Sequence, residues 1–361
     1  MLAAISAFFC SCLITLLIIR YRFLHEKISG DTDFDSPQKF HTVAVPRIGG
    51  VSIMFGLLAG LLVQILGKPN FELQLILFLC VLPTFAIGLA EDLTKSASIK
   101  ARFIVTAFSA LLAVHFLDMP IVRVDVFGID QALLIPGISI LFTVFAITGI
   151  TNAYNIIDGF HGLASMVATF ALIAVGYLAL SLNDRFLAQT CFLMVGATLG
   201  FFIWNYPRGL IFLGDSGAYL LGFWAAVSSI LLIVRHPDIS PWVAVMINGY
   251  PIIETLFSIW RKAIYRKRSP GEPDSIHFHM LIYRRVLSPN QISKKNEDYL
   301  SLNAKTSPYL WMLAGCTIVP AILWPLSTPI LMVFAFLVFV FYLWVYRRIV
   351  RFQTPRWLHM F

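Results

Sequence analysis

The sequence predicts an all-α, polytopic integral membrane protein with about eleven transmembrane helices. Hydrophobic residues occupy 58% of the 361 positions and charged residues only 13%, whereas a soluble domain carries about 25% charged residues. A water-soluble core could not bury so much apolar surface, so lipid must cover part of it. The apolar residues also fall into runs of helix length, and the basic residues cluster between alternate runs.

Each transmembrane helix is predicted from a run of about 20 mainly apolar residues, the length that crosses the hydrocarbon core. The chain contains eleven such runs, at 3–19, 48–67, 72–90, 103–118, 138–155, 162–182, 186–204, 215–234, 241–260, 308–326 and 329–346. Because this number is odd, the two termini are expected on opposite sides of the membrane.

The lysines and arginines indicate which side each loop faces. Of the 27 in the chain, 23 follow odd-numbered spans, the C-terminal tail included, and four follow even-numbered spans. Positively charged loops stay in the cytoplasm. We therefore expect the N-terminus outside and the C-terminus in the cytoplasm, and the short loops favour a bacterial inner (plasma) membrane.

We interpret residues 1–361 as one membrane-embedded domain. In the outer loop 120–130, apolar and polar residues alternate, which predicts a small hairpin. The inner loop 261–307 is long and basic, and its apolar positions predict a short interfacial helix around 277–286. The net charge of +8 is spread too thinly along the chain to form a nucleic-acid-binding surface.

Five polar clusters fall at the predicted cytoplasmic ends of the spans. They are HTVAVPRIGG (41–50), EDLTKSASIKAR (91–102), NAYNIIDGFHG (152–162), NYPRGLIFLGDSG (205–217) and DSIHFHM (274–280). Charged groups close to the hydrocarbon are costly and are usually functional. One such cluster could be an ordinary solvated loop, but five on the same side predict a single shared site.

The residue types in these clusters suit a divalent cation. Asp215 lies between Gly214 and Gly217 at a predicted helix start, where free backbone N–H groups stabilise an anion and glycines allow close approach of a ligand. Mg²⁺ takes oxygen ligands, often one or two carboxylates plus substrate phosphates. Asn155 and Asp158 could add an amide oxygen and a second carboxylate from one helix face, if that helix continues through both.

Cationic side chains lie beside the acidic ones in the second cluster. Lys95, Lys100 and Arg102 follow Glu91 and Asp92 closely. Acidic and basic groups side by side suit metal-bridged phosphate chemistry, in which cations stabilise the phosphoryl group being transferred.

Two further features of the clusters bear on the chemistry. His277 and His279, in the basic loop, could donate hydrogen bonds to a phosphate or a sugar. The GDSG around Ser216 also surrounds the nucleophile of chymotrypsin-like proteases, but the sequence suggests no Ser-His-Asp set within the membrane. We therefore reject a protease.

In combination, SPQKFHTVAVPRIGG, EDLTK, NAYNIIDG and IFLGDSGAYLLGF resemble the motifs of the polyprenyl-phosphate N-acetylhexosamine-1-phosphate transferase superfamily (glycosyltransferase family 4). The resemblance runs from about Asp35 to His279, and the eleven spans fit its undecaprenyl-phosphate N-acetylglucosamine-1-phosphate transferases. It implies transfer of a sugar-1-phosphate from a UDP-amino sugar to undecaprenyl phosphate, with release of UMP. It also implies a requirement for Mg²⁺, with Mn²⁺ as an alternative.

The resemblance further implies a role for each motif residue. Asp215 and Asn155 would bind the metal. Glu91 and Asp92 match an acidic pair that handles the lipid phosphate, and Asp158 matches a further active-site carboxylate. The implied substrate-binding residues are Arg47, Lys95, Asn152, His161, Phe212 (which would stack on uracil), His277 and His279.

This chain departs from the family pattern at three places. Glu91 stands where a second aspartate is common, and His161 stands where many relatives have an acid that touches the nucleobase. The HFHM segment has two histidines rather than three. Together with Arg47, the histidine segment favours an enzyme that starts a surface polysaccharide, such as the O-antigen of lipopolysaccharide, over the peptidoglycan pentapeptide enzyme.

Two other functions remain as alternatives at this stage. A secondary transporter would place its ionisable groups near the bilayer midplane and show two repeats, and the sequence shows neither. A catalytically inactive descendant of the transferase would be compatible with the departures. The sequence leaves open the amino sugar, a one-step or two-step mechanism, and the oligomeric state, a homodimer included.

Overall fold

Helices dominate the computed structural model, which describes residues 1–31, 45–67, 71–265, 276–288 and 298–359. In chain order the elements are α1 (Leu2–Arg20), α2 (Arg22–Ser29), β1 (Gly30–Asp31), β2 (Val45–Pro46), α3 (Gly49–Gly67), α4 (Glu72–Thr94), α5 (Ile99–Phe116), α6 (Ile129–Leu133), α7 (Pro136–Ile157), α8 (Leu163–Ser181), α9 (Arg185–Asn205), α10 (Gly214–Arg235), α11 (Trp242–Ile247), α12 (Gly249–Trp260), a π-helical turn (Arg261–Tyr265), α13 (Phe278–Ile282), a second π-helical turn (Tyr283–Leu287), α14 (Asp298–Leu323), α15 (Thr328–Val350) and a 3₁₀ turn (Arg356–His359).

The predicted all-α membrane architecture is confirmed. Within the described residues, ten helices are long and apolar enough to cross a membrane. Nine of them lie within four residues of the predicted bounds; for example, the span predicted at 215–234 is α10, Gly214–Arg235. The span predicted at 308–326 is α14, which begins ten residues earlier, at Asp298, so helix replaces the end of the predicted loop 261–307. The strands form only a two-residue antiparallel ladder, in which Gly30 pairs with Pro46.

The span predicted at 241–260 is correct in position but is broken into α11 and α12. Asn248 lies between the two helices and is fully buried. Its amide nitrogen donates to the Ser229 hydroxyl and to the Ala244 carbonyl, and its amide oxygen accepts from the Tyr154 hydroxyl. Pro251 follows in the first turn of α12, where its missing N–H costs least.

The broken helix still runs from one end of the bundle to the other. At its start, the Trp242 indole donates to the Val124 carbonyl, in the loop before α7. Near its end, Glu254 accepts from His277, and the neighbouring His279 lies against Gly159, just after α7. The pair α11–α12 therefore contacts the loops at both ends of α7, although neither helix alone is long enough to cross a membrane.

The hairpin predicted at 120–130 is wrong. The described chain forms turns there, followed by the short helix α6. The Val124 amide donates to the Asp130 carboxylate instead of to a neighbouring strand. Arg123 forms an ion pair with Asp125 at 3.1 Å and donates to the Ile239 carbonyl, so side chains hold this loop in place of a ladder.

The helix predicted around 277–286 exists, but its apolar side chains are buried in the protein. Helix α13 and the π-helical turn after it are continuous there. Phe278, Met280, Leu281 and Ile282 are all buried. The apolar positions that suggested contact with lipid headgroups therefore contact the protein interior.

Helix α10 is the centre of the bundle. Its membrane window is 89% buried, whereas those of α1 and α15 are only 22% buried. Its bulky side chains Tyr219, Phe223 and Trp224 are enclosed on all sides. Because α10 is fixed by protein along its whole length, its first residues have a fixed position as well.

Glycines let the neighbouring helices reach the backbone of α10. A Cβ atom on Gly88 of α4 would lie 2.7 Å from both N and Cα of Ser216. A Cβ atom on Gly50 of α3 would lie 2.3 Å from the amide nitrogen of Gly217. No side chain fits at either place, so these contacts fix how α3 and α4 pack against α10.

We predict that Gly88→Ala lowers the free energy of unfolding by about 1–3 kcal/mol, the usual cost of overpacking, because backbone atoms of α10 would have to move. The matched control is Gly149→Ala, since a Cβ atom there meets nothing within 4 Å. Denaturant unfolding of both variants in one detergent would measure the difference. Equal stability of the two would show that α4 and α10 do not need this close approach.

Candidate active site

The start of α10 is hydrogen-bonded to the segment that precedes α3. The Phe212 amide donates to the Pro46 carbonyl at 2.8 Å, and the Gly49 amide donates to the Phe212 carbonyl at 3.0 Å. The Gly50 amide donates to the Leu213 carbonyl at 2.9 Å. Two of the predicted polar clusters, 41–50 and 205–217, therefore meet through their main chains.

Gly214 makes the turn into α10. Its φ of +75° is one that side chains rarely allow. A Cβ atom on this residue would also lie 2.0 Å from the Arg47 carbonyl oxygen and 2.6 Å from Oδ2 of Asp92. Glycine is therefore required at this position for two reasons, the positive φ and the lack of space for a Cβ atom. Because Gly214 has no side chain, Arg47 and Asp92 can approach the helix start.

Asp92 caps α10 from a different helix. Its carboxylate is 1% exposed and accepts from the Asp215 amide at 2.8 Å, the Ser216 amide at 2.9 Å and the Ser216 hydroxyl at 2.6 Å. Helix starts leave such amides without partners, and a carboxylate beside them is also favoured by the helix dipole. Asp92 at the end of α4 therefore orients the residues that begin α10.

Two arginines contact the Asp215 carboxylate. Arg47 Nη2 lies 3.1 Å from Oδ1, and Arg102 Nη1 lies 2.5 Å from Oδ2. The same Arg47 nitrogen is 3.6 Å from the Asp92 carboxylate. The sequence placed Arg102 beside Glu91 and Asp92, whereas the structure shows that its hydrogen-bonded partner is Asp215. Two cations and two carboxylates thus share one small volume.

Asp158 adds a third carboxylate. It follows the last residue of α7, so Asn155 and Asp158 do not share a helix face as the sequence suggested. Burial raises the pKa of Asp158 to about 8, and the nearby Asp215 and Asp92 carboxylates contribute to the rise. Among the described residues, the Asn155 amide has no hydrogen-bond partner, although its carbonyl accepts from the Asp158 amide at 3.3 Å.

Glu91, Lys95 and Asn152 have local partners instead. The Glu91 carboxylate accepts from the Ala97 amide at 2.8 Å and so holds the loop between α4 and α5. Lys95 ends α4 in a left-handed conformation with an exposed side chain. The Asn152 amide donates to the Thr148 carbonyl of its own helix. These residues border the three aspartates without a hydrogen bond to their carboxylates in the described chain.

His161 supports Phe212 from behind. Its ring stacks on the Phe212 ring with centroids 5.9 Å apart, and its Nδ1 lies 3.1 Å from the Pro207 carbonyl oxygen. Its backbone is held by the Asn303 and Ser307 side chains of α14. The histidine that replaces an acid in this chain is therefore a buried packing partner of the aromatic residue.

His277 and His279 form a parallel stack close to Asp158. Their ring centroids are 5.3 Å apart, with planes inclined by 3°. The His279 ring is 3.1 Å from where a Cβ atom of Gly159 would lie. Burial lowers the pKa of His279 to about 3, so this imidazole is neutral at physiological pH.

Glu254 is a functional candidate that the sequence reasoning missed. It lies on α12, is fully buried, and its Oε1 is 2.9 Å from His277 Nδ1. A carboxylate within an apolar span, as in the sequence YPIIETLF, is itself a signal of function. Gly88 was missed as well, since a glycine in an apolar helix gives no sign of what packs against it.

Comparison with known proteins identifies the family. Residues 74–233 match the family model described as Glycosyl transferase family 4. An undecaprenyl-phosphate alpha-N-acetylglucosaminyl 1-phosphate transferase of Thermotoga maritima is 30% identical over 283 residues, covering 78% of this chain and 80% of the relative. The chain belongs to glycosyl transferase family 4. The family resemblance deduced from the motifs is thereby confirmed.

Other relatives of this glycosyl transferase carry two different names. A probable undecaprenyl-phosphate N-acetylglucosaminyl 1-phosphate transferase of Bacillus subtilis is 29% identical over 69% of each chain. A phospho-N-acetylmuramoyl-pentapeptide-transferase of Streptococcus thermophilus is 33% identical, but over only 49% of this chain and 50% of the relative. Coverage does not separate the two names, because a phospho-N-acetylmuramoyl-pentapeptide-transferase of Rubrobacter xylanophilus is 29% identical over 78% of this chain and 88% of the relative.

The donor set of this glycosyl transferase fits a hard divalent cation. Asp215, Asp158 and Asp92 bring carboxyl oxygens to one site, close enough that Asp215 and Asp92 contribute, after burial, to the raised pKa of Asp158. The unpartnered Asn155 amide can supply a neutral oxygen. Within the described residues no three His, Cys, Asp or Glu side chains form a metal cluster of their own, and Mg²⁺ commonly takes only one or two carboxylates with substrate phosphates.

We predict that Asp92→Asn lowers the free energy of unfolding by about 1–3 kcal/mol, the cost of leaving a buried donor unpaired. The asparagine amide nitrogen cannot accept, so at least one donor at the start of α10 loses its acceptor. Ser216→Ala is the milder control, because it removes one hydrogen bond worth about 1 kcal/mol. Denaturant unfolding would compare them; an Asp92→Asn protein as stable as the wild type would disprove the capping role.

Proposed function

We propose that this chain transfers N-acetylhexosamine-1-phosphate, with N-acetylglucosamine or a derivative as the sugar, from a UDP-sugar to undecaprenyl phosphate and releases UMP. The observation that carries the proposal is the meeting of Asp92, Asp158 and Asp215 with Arg47 and Arg102 at one end of the bundle. The names of the Thermotoga maritima and Bacillus subtilis relatives support the acceptor and the transferred group.

The reaction needs little help from a general base. A phosphate monoester has a second pKa near 6, so the lipid phosphate is mostly a dianion at neutral pH. Its oxygen attacks the phosphorus bonded to the sugar, the diphosphate bridge breaks, and UMP leaves with the bridging oxygen. Asp92 is buried and its oxygens already accept three hydrogen bonds, which supports a positioning role and a one-step displacement.

Asp215 and Asn155, with Asp158 beside them, are the residues that would hold Mg²⁺. Bound there, the cation would neutralise charge on the diphosphate as the bridge breaks. Arg47 and Arg102 already lie at Asp215 with fixed positive charge, so they can attract and orient anionic phosphates. The exposed Lys95 adds a further cation beside the site.

The donor would lie across the two aromatic groups of the site. Phe212, supported by His161, offers a flat ring to the uracil. The stacked rings of His277 and His279 form the second aromatic group, next to Gly159 and Asp158, where a sugar or a phosphate could accept a hydrogen bond. In this proposed pose the diphosphate, which joins the base to the sugar, would lie beside the carboxylates.

We predict that purified protein releases UMP from UDP-N-acetylglucosamine only when both undecaprenyl phosphate and Mg²⁺ or Mn²⁺ are present. Asp215→Ala should lower the rate about 100-fold or more, a loss typical of removing a group that stabilises transition-state charge. Asp238→Ala, an exposed carboxylate just after the far end of α10, is the control and should retain the rate.

Full turnover by Asp215→Ala would refute the metal assignment, and absence of UMP release would favour a transporter or an inactive protein. Assaying other UDP-amino sugars, UDP-N-acetylmuramoyl-pentapeptide among them, would identify the sugar. A surface-polysaccharide initiator should reject the pentapeptide donor.

The site is proposed to face the cytoplasm from the inner membrane of a bacterium, because 23 of the 27 Lys and Arg residues lie on the loops of that side. The polymer that the product begins, O-antigen for example, and a homodimeric assembly both remain predictions.

We predict opposite accessibilities for two single cysteines in a background from which the five native cysteines have been removed. Lys95→Cys, beside the site, should react with a membrane-impermeant maleimide only after cells are opened. Phe127→Cys, which is 96% exposed in the loop before α7, should react in intact spheroplasts. The reverse pattern would place the active site outside.

A further inference from the structure

Glu254 is a buried carboxylate with three hydrogen-bond donors. It is 0% exposed, and its Oε1 accepts from His277 Nδ1 at 2.9 Å and from the Phe278 amide at 3.1 Å. Its Oε2 accepts from the Tyr342 hydroxyl at 2.8 Å. A carboxylate taken out of water is costly unless such partners surround it, so the bundle is built to hold this group in one orientation.

The contact with Glu254 determines which ring nitrogen of His277 carries a proton. A carboxylate only accepts, so Nδ1 must donate to it. The remaining nitrogen, Nε2, is left for another partner, and the structure gives it none among the described residues. The His277 side chain is 7% exposed.

The orientation of the His277 ring affects the side chains beside Asp158. Its ring lies parallel to that of His279 at 5.3 Å, and His279 in turn lies against Gly159, next to Asp158. The buried His279 is neutral at physiological pH. A tilt of His277 would therefore disturb the stack beside the third carboxylate.

We propose that Glu254 is a positioning residue for the transfer reaction. It fixes the proton of His277 on Nδ1 and holds the ring so that Nε2 can bind the phosphate or sugar of the donor. A carboxylate that orients a ligating or catalytic imidazole through its other nitrogen is a general device in active sites. The inference rests on the proposed function, because it assumes that the ligand beside Asp158 is a sugar nucleotide.

A purely structural role for Glu254 makes a different prediction. Removing one partner of a buried charged cluster destabilises the protein, and in that case activity would fall through general loosening of the bundle, whether or not His277 is present. A positioning role acts through His277 alone. The two roles are separated by asking whether the effect of Glu254 disappears when His277 is absent.

The test measures Glu254→Met, Glu254→Gln and His277→Ala in the UMP-release assay, each alone, together with the double variant that combines Glu254→Met and His277→Ala. Glu254→Met should lower kcat about 10- to 100-fold, as loss of a group that orients a ligand typically does. In the His277→Ala background it should change kcat by less than about twofold, the error of additivity. Losses that multiply in the double variant would overturn the proposal.

Glu254→Gln is the conservative variant. Its amide oxygen can still accept from His277 Nδ1 and the Phe278 amide, while its amide nitrogen donates to the Tyr342 oxygen. We expect kcat within about twofold of the wild type, and a loss as large as that of Glu254→Met would contradict a positioning role. Gln74→Met is the matched control, since Gln74 is also fully buried but bonds to Phe186, far from the site.

A spectroscopic readout separates this inference from the proposed function. Solid-state ¹⁵N spectra of the histidine-labelled protein, which has eight histidines, would show the His277 signals by their loss in His277→Ala. The wild type should carry the His277 proton on Nδ1, and Glu254→Met should show a mixture of tautomers. An unchanged tautomer would overturn the inference, whereas absence of UMP release in the wild type would refute only the proposed function.

Discussion

The capping of α10 by Asp92 is the interaction on which the rest of the site depends. Helix α10 is buried along its length, so no water can satisfy the amides at its start. The Asp92 carboxylate accepts from Asp215 and Ser216 instead. Because these hydrogen bonds fix the Asp215 backbone, they also fix where the Asp215 carboxylate can contact Arg47 and Arg102.

Close backbone packing makes the cap possible. Gly88 brings α4 against Ser216, and Gly214 leaves space for both Arg47 and Asp92. Membrane helices commonly use small residues in this way, since apolar side chains gain little by leaving lipid for protein. Gly214, which the sequence suggested would let a ligand approach, is therefore needed first for packing at the start of α10. The position of the carboxylates follows from that packing.

The site also depends on the interrupted crossing. A continuous helix at 241–260 would have needed no polar residue, but Asn248 stabilises a break with hydrogen bonds to Ser229 and Tyr154. Helix α12 after the break carries Glu254 to His277. Two buried carboxylates thus act alike in the site: Asp92 orients a backbone, and Glu254 orients an imidazole.

The sequence by itself determined the long apolar helices and the helix ends at which the polar motifs lie, because apolar length and composition are local properties of the chain. It also determined the family, since the motifs keep their order. It gave no structural reason to separate Glu91 from Asp92, which are adjacent acids on α4; only the packing of α4 on α10 made Asp92 a cap and left Glu91 to bind the Ala97 amide of the next loop. The role of Glu254 was equally hidden, because its partners His277 and Tyr342 come from distant parts of the chain and only folding brings them together.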